Sequence, residues 1–111
     1  MPATYSNEGR IMTALRELDI PARNFVDLAK SLNIQISHGR LSEALNDKTR
    51  LDDETGAKLV ELLSELKSVR ERFKDVPINW AATERIATLV ILDRVTRICT
   101  ELDQQPIAVQ Q

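Results

Sequence analysis

Residues 25–46 read FVDLAKSLNIQISHGRLSEALN, and their apolar spacing predicts two short helices that meet at a tight corner. The first helix carries apolar residues at helical spacing, namely Phe25, Leu28, Ala29 and Leu32. Ala29 is small at the position where a second helix has to cross closely. Asn33 follows, and asparagine is one of the few non-glycine residues that tolerate the left-handed conformation on which helices often end.

The second helix of this stretch is predicted to have one apolar face and one polar face. Ser37 can cap its start, and because Arg40 rather than a glutamate stands at the third position, this is a simple cap and not a capping box. Leu41, Ala44 and Leu45 point towards the core. The opposite face carries short or polar groups that can meet base edges, and these are His38, Gly39, Arg40, Ser42, Glu43 and Asn46.

The order of these residues resembles a known family. LAKSLNI followed by SHGRLSEALND is similar to the lambda repressor and Cro family of helix-turn-helix DNA-binding proteins, often called the XRE family, over roughly residues 20–66. Ala29 matches the small residue of the family's first helix, and Asn33 stands where the family has a glycine. Leu41 matches the apolar anchor of the recognition helix, and residues 41–46 match its LSxxLN ending. The chain departs from the family at Gln35 and Ile36, which lengthen the turn by about two residues and can tilt the recognition helix.

The resemblance implies sequence-specific binding of duplex DNA by a transcriptional regulator, a small repressor of bacterial or bacteriophage type. The helix that starts near Ser37 would enter the major groove. The expected base contacts are Ser37, His38, Gly39, Arg40, Ser42, Glu43 and Asn46. Among them, Arg40 would donate to guanine and Glu43 would accept from cytosine. The expected phosphate contacts, which position a protein without reading sequence, are Arg23, Lys30, Lys48 and Arg50.

The distribution of charge bears on this interpretation. The chain has a formal net charge of −2, whereas proteins that bind nucleic acid mainly through phosphate contacts tend to be basic. Residues 21–50 carry five basic and three acidic side chains, and residues 51–75 carry five basic and seven acidic ones. Residues 21–50, which include the predicted DNA-binding helix, are therefore net positive, and residues 51–75 are net negative.

A second class of function fits the same residues. A helix-turn-helix module that lost strong DNA affinity and binds a protein partner, such as an antitoxin or an antirepressor, agrees with the acidic net charge and the lengthened turn. In that case Arg40, Glu43 and the polar face around them recognise the partner. A third possibility, intermediate between direct DNA binding and protein binding, is that the chain binds DNA only as part of a larger complex. The salt dependence of DNA affinity distinguishes direct DNA binding from protein binding, because direct phosphate contacts make DNA affinity fall steeply as salt is added.

Composition sets the outer limits on function. The 111 residues suit one domain, and an aromatic content of 4% leaves leucine, isoleucine, valine and alanine to form the core. No apolar run approaches the roughly 18 residues of a membrane span, and the N-terminus lacks the apolar core of a signal peptide, so we expect a cytoplasmic protein without membrane contact. With Cys99 and His38 as the only cysteine and histidine, we expect no metal, no cofactor and no enzyme activity.

Three further helices are predicted outside the opening stretch. Ser6 can cap a helix that runs to about Leu18, and its apolar stripe consists of Ile11, Ala14, Leu15 and Leu18. Pro21 suits the first turn of the helix that follows. A long helix is predicted from near Asp52 to about Lys74. Its heptad-like seam, widened by two flanking residues, is Leu59, Val60, Leu62, Leu63, Leu66, Val69 and Phe73.

The last helix is predicted from about Trp80 to Leu102, because Pro77 breaks the chain before it and Asn79 can cap it. The short turn makes it antiparallel to the long helix. One face carries Leu92, Val95, Cys99 and Leu102, with Cys99 expected to be buried, and the other carries Ala82, Ile86, Leu89 and Val90. An apolar surface this wide needs two neighbours. The first is the long helix, and the second is either another copy of the chain or the small N-terminal core.

The predicted architecture is an all-α, lambda-repressor-like helix-turn-helix bundle of about five helices in a single domain, residues 1–111. Its parts are a reading head at residues 6–50, a long helical hairpin at 51–102 for dimerisation, and a flexible tail at 103–111 without a helical pattern. We expect a homodimer that sets two reading heads on one side of the DNA. Its expected interface is Ile86, Leu89, Val90, Leu92 and Val95.

Overall fold

The computed structural model describes residues 6–104 and shows five α-helices and no strand over that range. The helices are α1 (Asn7–Leu18), α2 (Ala22–Ser31), α3 (His38–Leu45), α4 (Asp53–Arg72) and α5 (Thr83–Gln104). The predicted all-α class is confirmed. The flexible tail was predicted to start at Asp103, but Asp103 and Gln104 belong to α5. The rest of that predicted tail, 105–111, lies outside the described residues.

Helices α1, α3 and α4 begin where the sequence offers a capping side chain. Ser6, Ser37 and Asp52 each accept a hydrogen bond from the backbone N–H three residues later, at 3.0, 3.1 and 3.0 Å. Each bond satisfies an N–H group that the first helical turn leaves without a helical partner. Pro21 precedes α2 as its N-cap, one position before the first turn in which the sequence placed it.

The start of α5 differs from the prediction. The helix begins at Thr83, whereas the sequence predicted Trp80. The cause is Asn79, whose side-chain oxygen accepts a hydrogen bond from the Ala81 N–H at 3.1 Å. Asn79 therefore closes a separate turn, and the helix starts only after that turn is complete.

The segment between α2 and α3 is a packed turn. Asn33 adopts the predicted left-handed conformation with φ 66°, and the N–H of Ile34 donates to the Ala29 carbonyl at 2.9 Å. Ile34 and Ile36 are 8% and 5% exposed, while Gln35 between them faces solvent. The longer turn is therefore held by two buried side chains on either side of one exposed residue.

The core draws side chains from α1 through α5. The apolar stripe predicted for α1 is buried, and so is the α4 seam from Leu59 to Val69, apart from the partly buried Val60. Phe73 is the exposed member of the predicted seam. It is 39% exposed, because α4 ends at Arg72 and the chain turns away from the core there. The largest fully buried side chains are Phe25, Ile11, Leu41, Leu59, Leu62, Leu63, Leu66, Val26 and Val90.

Helices α1 and α4 lie side by side and run in the same direction. At one end Gly56 touches Asn7 so closely that an added Cβ would lie 2.7 Å from the Asn7 amide nitrogen. At the other end Lys67 pairs with Glu17, Nζ to Oε2 at 2.7 Å. The first residues of α1 and α4 therefore lie together, and the last turn of α1 lies beside the second half of α4.

Helix α5 packs against α2 and α4, and its buried apolar side chains lie in its first half. Ile86 and Val90 are 3% and 0% exposed, and Leu89 is partly buried against the same core. The structure therefore corrects the predicted dimer interface, because these residues already cover the core of their own chain. Of the predicted set, Leu92 and Val95 remain exposed.

An ion-pair network joins α4 to α5. It consists of Glu65, Arg72, Asp93, Arg94 and Arg97. The buried Glu65 carboxylate accepts two hydrogen bonds from Arg94, at 2.6 and 2.8 Å, and this pairing raises the pKa of the Arg94 guanidinium. The buried Asp93 carboxylate lies 2.7 Å from an Arg72 nitrogen. Removing one member would leave a buried charge uncompensated, so the network holds α5 against α4.

The second half of α5 extends away from the core and contributes to the elongated shape, whose principal extents are 58 × 31 × 23 Å. Cys99 is exposed, so its predicted burial is wrong. Its face of α5 points away from α2 and α4, and nothing in the described part of the chain covers it. No helix within residues 6–104 combines the length and the apolar character that crossing a bilayer requires.

Candidate nucleic-acid interface

Helix α3 is anchored on one side and open on the other. Leu41 and Ala44 are 0% and 1% exposed, so they fix the helix to the core. The opposite side carries most of the residues predicted to contact bases. The exposed ones are Ser37, His38, Gly39, Arg40, Glu43 and Asn46. Ser42 is half-buried. One continuous side of α3 is thus polar and accessible.

An open groove lies between the start of α3 and the loop that follows the helix. Its volume is about 480 Å³. The residues that line it are Ser37, Gly39, Arg40, Glu43, Thr49 and Arg50. Four predicted base contacts are therefore brought together with Arg50, a predicted phosphate contact. Thr49 was not predicted, although it belongs to the polar segment whose basic residues were.

An ion pair crosses the edge of this groove. Arg40 Nη2 lies 3.3 Å from Asp52 Oδ1, and both side chains are about half exposed. Hydrogen bonds from Thr55, first its N–H and then its hydroxyl, lower the pKa of Asp52, with a smaller contribution from the Arg40 charge. Asp52 is therefore a fixed negative charge next to Arg40. Exposed ion pairs of this kind are weak, so Arg40 remains available to a ligand.

Asn46 and Ser42 interact with each other. The Asn46 amide nitrogen donates to the Ser42 carbonyl at 2.9 Å and lies 3.5 Å from the Ser42 hydroxyl. Both residues were predicted to contact bases independently. The structure instead turns the Asn46 side chain back along its own helix, so this donor must be released before it can reach a base.

The loop after α3 is tied down at both ends. At its start Asp47 adopts φ 64°, and the Lys48 N–H donates to the Glu43 carbonyl at 2.9 Å. At its end the Leu51 N–H donates to the buried carboxylate of Glu8 at 3.1 Å. Lys48 and Arg50 lie between these bonds and are exposed. The structure thus presents two of the four predicted phosphate contacts on an anchored loop.

Glu8 was missed by sequence reasoning. An acidic residue in the first turn of a helix is common, because it faces the positive end of the helix dipole. Nothing in the sequence distinguishes Glu8 from such a residue, since its partner lies 43 positions away at Leu51. The two remaining predicted phosphate contacts, Arg23 and Lys30, are exposed on α2.

Searches among protein-family models, curated proteins and solved structures find no match for the chain. Within residues 6–104, no three histidine, cysteine or acidic side chains come together as a metal site would require. The polar side of α3 and the loop after it are the features of the described chain that indicate a function.

Proposed function

We propose that the chain is a sequence-specific DNA-binding regulator of transcription, a small repressor of bacterial or bacteriophage type, that places α3 in the major groove. The supporting observation is the groove that joins the polar side of α3 to the loop after it. An α-helix fits the major groove when its outward side is polar and accessible, and the buried Leu41 and Ala44 leave α3 in this state. The protein acts by binding, without catalysis or a cofactor.

The proposed roles follow the positions of the side chains. Arg40 and Glu43 reach base edges from the groove, and Gly39 allows close approach of the backbone. Ser37 uses its oxygen as a helix cap, but its hydroxyl proton remains a donor for DNA. His38 makes an adaptable contact from the start of the helix. The phosphates are held by Arg23, Lys30, Lys48 and Arg50.

A second candidate function is recognition of a protein partner by the same surface. The observation that favours it is the acidic start of α4 at Asp52, Asp53 and Glu54. Asp52 already neutralises Arg40 at 3.3 Å, and this cluster repels phosphate next to the groove. A partner that brings its own positive charge would be attracted to the same place.

Selection from a pool of randomised DNA duplexes at two salt concentrations tests the proposal. An enriched motif whose binding weakens steeply with salt supports direct DNA recognition, because phosphate contacts release counterions. An inverted repeat would add that two copies bind together. Absence of enrichment at both salt concentrations contradicts the proposal and favours the protein partner.

A further inference from the structure

From Ile91 onward, α5 carries an uncovered apolar face. Within residues 6–104, seven large hydrophobic side chains are exposed, and five of them lie on this part of α5. They form what is called here the α5 outer face and are Ile91, Leu92, Val95, Ile98 and Leu102. Their exposed fractions run from 47% to 60%. Apolar side chains concentrated in this way mark an interaction surface.

The α5 outer face points away from the other four helices. The side of α5 that contacts the other helices carries Ile86, Val90 and Asp93, which are at most 3% exposed. With 3.6 residues per turn, Val95 and Leu102 fall on the opposite side of the helix. Helices α1 to α4 therefore cannot cover the outer face by a small shift of α5, because the ion-pair network holds the other side of α5 against α4.

We propose that the α5 outer face pairs with the same face of a second copy, with the two α5 helices antiparallel about a twofold axis between Thr96 and Arg97. Ile91, Val95, Ile98 and Leu102 are spaced by four, three and four residues, which is a heptad seam. This spacing is the same in both directions. An antiparallel pair therefore packs Val95 against Ile98 of the partner subunit and Ile91 against Leu102 of the partner subunit.

Charge complementarity favours the antiparallel orientation. Arg94 and Glu101 flank the seam on the same side. Antiparallel pairing brings Glu101 of the partner subunit beside Arg94, and twofold symmetry repeats the contact. A parallel pair instead places the two copies of these residues on opposite sides of the interface, so Arg94 does not meet Glu101 of the partner subunit. The ion-pair network holds three guanidinium groups and two carboxylates, so an added carboxylate also balances its excess positive charge.

This inference does not rest on the proposed function, because none of its residues belongs to α3 or to the loop after it. It replaces the interface predicted from sequence. Leu92 and Val95 are kept. Ile91, Ile98 and Leu102 take the place of Ile86, Leu89 and Val90, which pack against the core of their own chain. The seam shifts towards the C-terminal end of α5, where no other described part of the chain is packed.

Disulfide cross-linking tests both the partner and its orientation. In a Cys99→Ser background, we expect Ile91→Cys and Leu102→Cys chains to cross-link when they are mixed and not when either is oxidised alone. In the antiparallel pair identical ends lie about 16 Å apart along the axis, too far for a disulfide. Cross-linking of each variant with itself would mean a parallel pair and would overturn the inference.

Sedimentation of the full chain over a dilution series provides the second test. We expect a species of twice the chain mass of 12.6 kDa, and we expect Val95→Glu to reduce it to the chain mass. Val76→Glu is the matched control, because Val76 is 59% exposed but lies outside α5. Circular dichroism checks that both variants stay helical. Sedimentation of the unchanged protein at the chain mass throughout would overturn the inference.

Discussion

Asp52 performs two tasks with one carboxylate. Through Oδ2 it caps α4 by accepting hydrogen bonds from the N–H and the hydroxyl of Thr55, at 3.0 and 2.8 Å. Through Oδ1 it pairs with Arg40 at 3.3 Å. The start of α4 therefore places a carboxylate beside the arginine that we expect to read a base. Changes at Arg40 and at Asp52 have separable consequences for DNA binding and for stability.

Replacing Arg40 tests recognition by a single residue. We expect Arg40→Ala to lower affinity for the selected duplex by about 1–3 kcal/mol and to relax the preference at one base pair, because a donor in the major groove is lost. Fluorescence anisotropy with labelled duplexes measures both effects. Lys67→Ala is the matched control, since it also removes one positive charge and breaks an ion pair of similar exposure. Equal losses in the two variants would contradict a base contact by Arg40.

The cap at Asp52 predicts a dependence of stability on pH. The hydrogen bonds from Thr55 lower the pKa of Asp52 in the folded chain. Its ionised form therefore stabilises the fold above the unfolded pKa, and this stabilisation is lost as the pH falls through the lower, folded pKa.

The expected window lies below the usual aspartate pKa of about 3.9, and urea unfolding at a series of pH values measures it. Asp52→Ser should flatten the dependence in that window, because serine also caps a helix but does not titrate. Asp53→Ser removes a carboxylate from the same turn and leaves the cap in place. A curve for Asp52→Ser that falls as steeply as the curve for Asp53→Ser would contradict this account.

At the scale of the helix, prediction from the sequence worked best where a single side chain determines where a helix starts. The caps at Ser6 and Ser37 were predicted correctly, because each oxygen accepts from an N–H only three residues further along the chain. Asp52 was predicted only to lie near the start of its helix, and the structure shows that it is the cap. The polar side of α3 followed equally well from its spacing. These features depend on neighbours in the chain, so tertiary packing does not alter them.

Contacts between distant parts of the chain could not be predicted from the sequence. Two faces of α5 are apolar, and the sequence could not show that α2 and α4 cover the face with Ile86 and leave the face with Cys99 exposed. The burial of Glu8 depends on its bond to Leu51, and that of Asp93 depends on Arg72 across the helix pair. Each requires knowing how the helices are arranged in space.

Gly39 provides a test of α3 as an element. Among the described residues no atom lies within 4 Å of a Cβ added there. Gly39→Ala should therefore stabilise the chain by up to about 1 kcal/mol, because alanine favours the helix. DNA affinity should fall at the same time, since the added methyl group meets the duplex where the backbone approaches it.

Urea unfolding and anisotropy measure the two effects of Gly39→Ala separately. Ala57→Gly makes the reverse exchange at an exposed position on α4 and should destabilise the chain without changing DNA affinity. Unchanged DNA affinity in Gly39→Ala would contradict close approach of the α3 backbone.

For the whole molecule, helices α1 to α3 share one core with α4 and α5. Val90 of α5 is fully buried among side chains from the other helices, so the two parts should unfold together. We expect Val90→Ala to cost about 2 kcal/mol in the free energy of unfolding, from lost burial and the cavity left behind. Circular dichroism and the fluorescence of Trp80 should report the same urea midpoint.

Val76→Ala makes the same chemical change at a position that is 59% exposed, and it should leave that midpoint almost unchanged at equal protein concentration. Separate midpoints for helicity and for Trp80 fluorescence would show that α5 unfolds independently of the reading head.

The loop that carries Lys48 and Arg50 is held at Glu43 by one hydrogen bond and at Glu8 by another. A loop fixed before its ligand arrives loses little conformational entropy on binding, so more of each phosphate contact is retained as affinity. The rate at which DNA associates should then follow diffusion and electrostatic attraction, with no slow ordering step. Releasing the loop by Glu8→Ala would convert rapid capture of DNA into slower, induced binding.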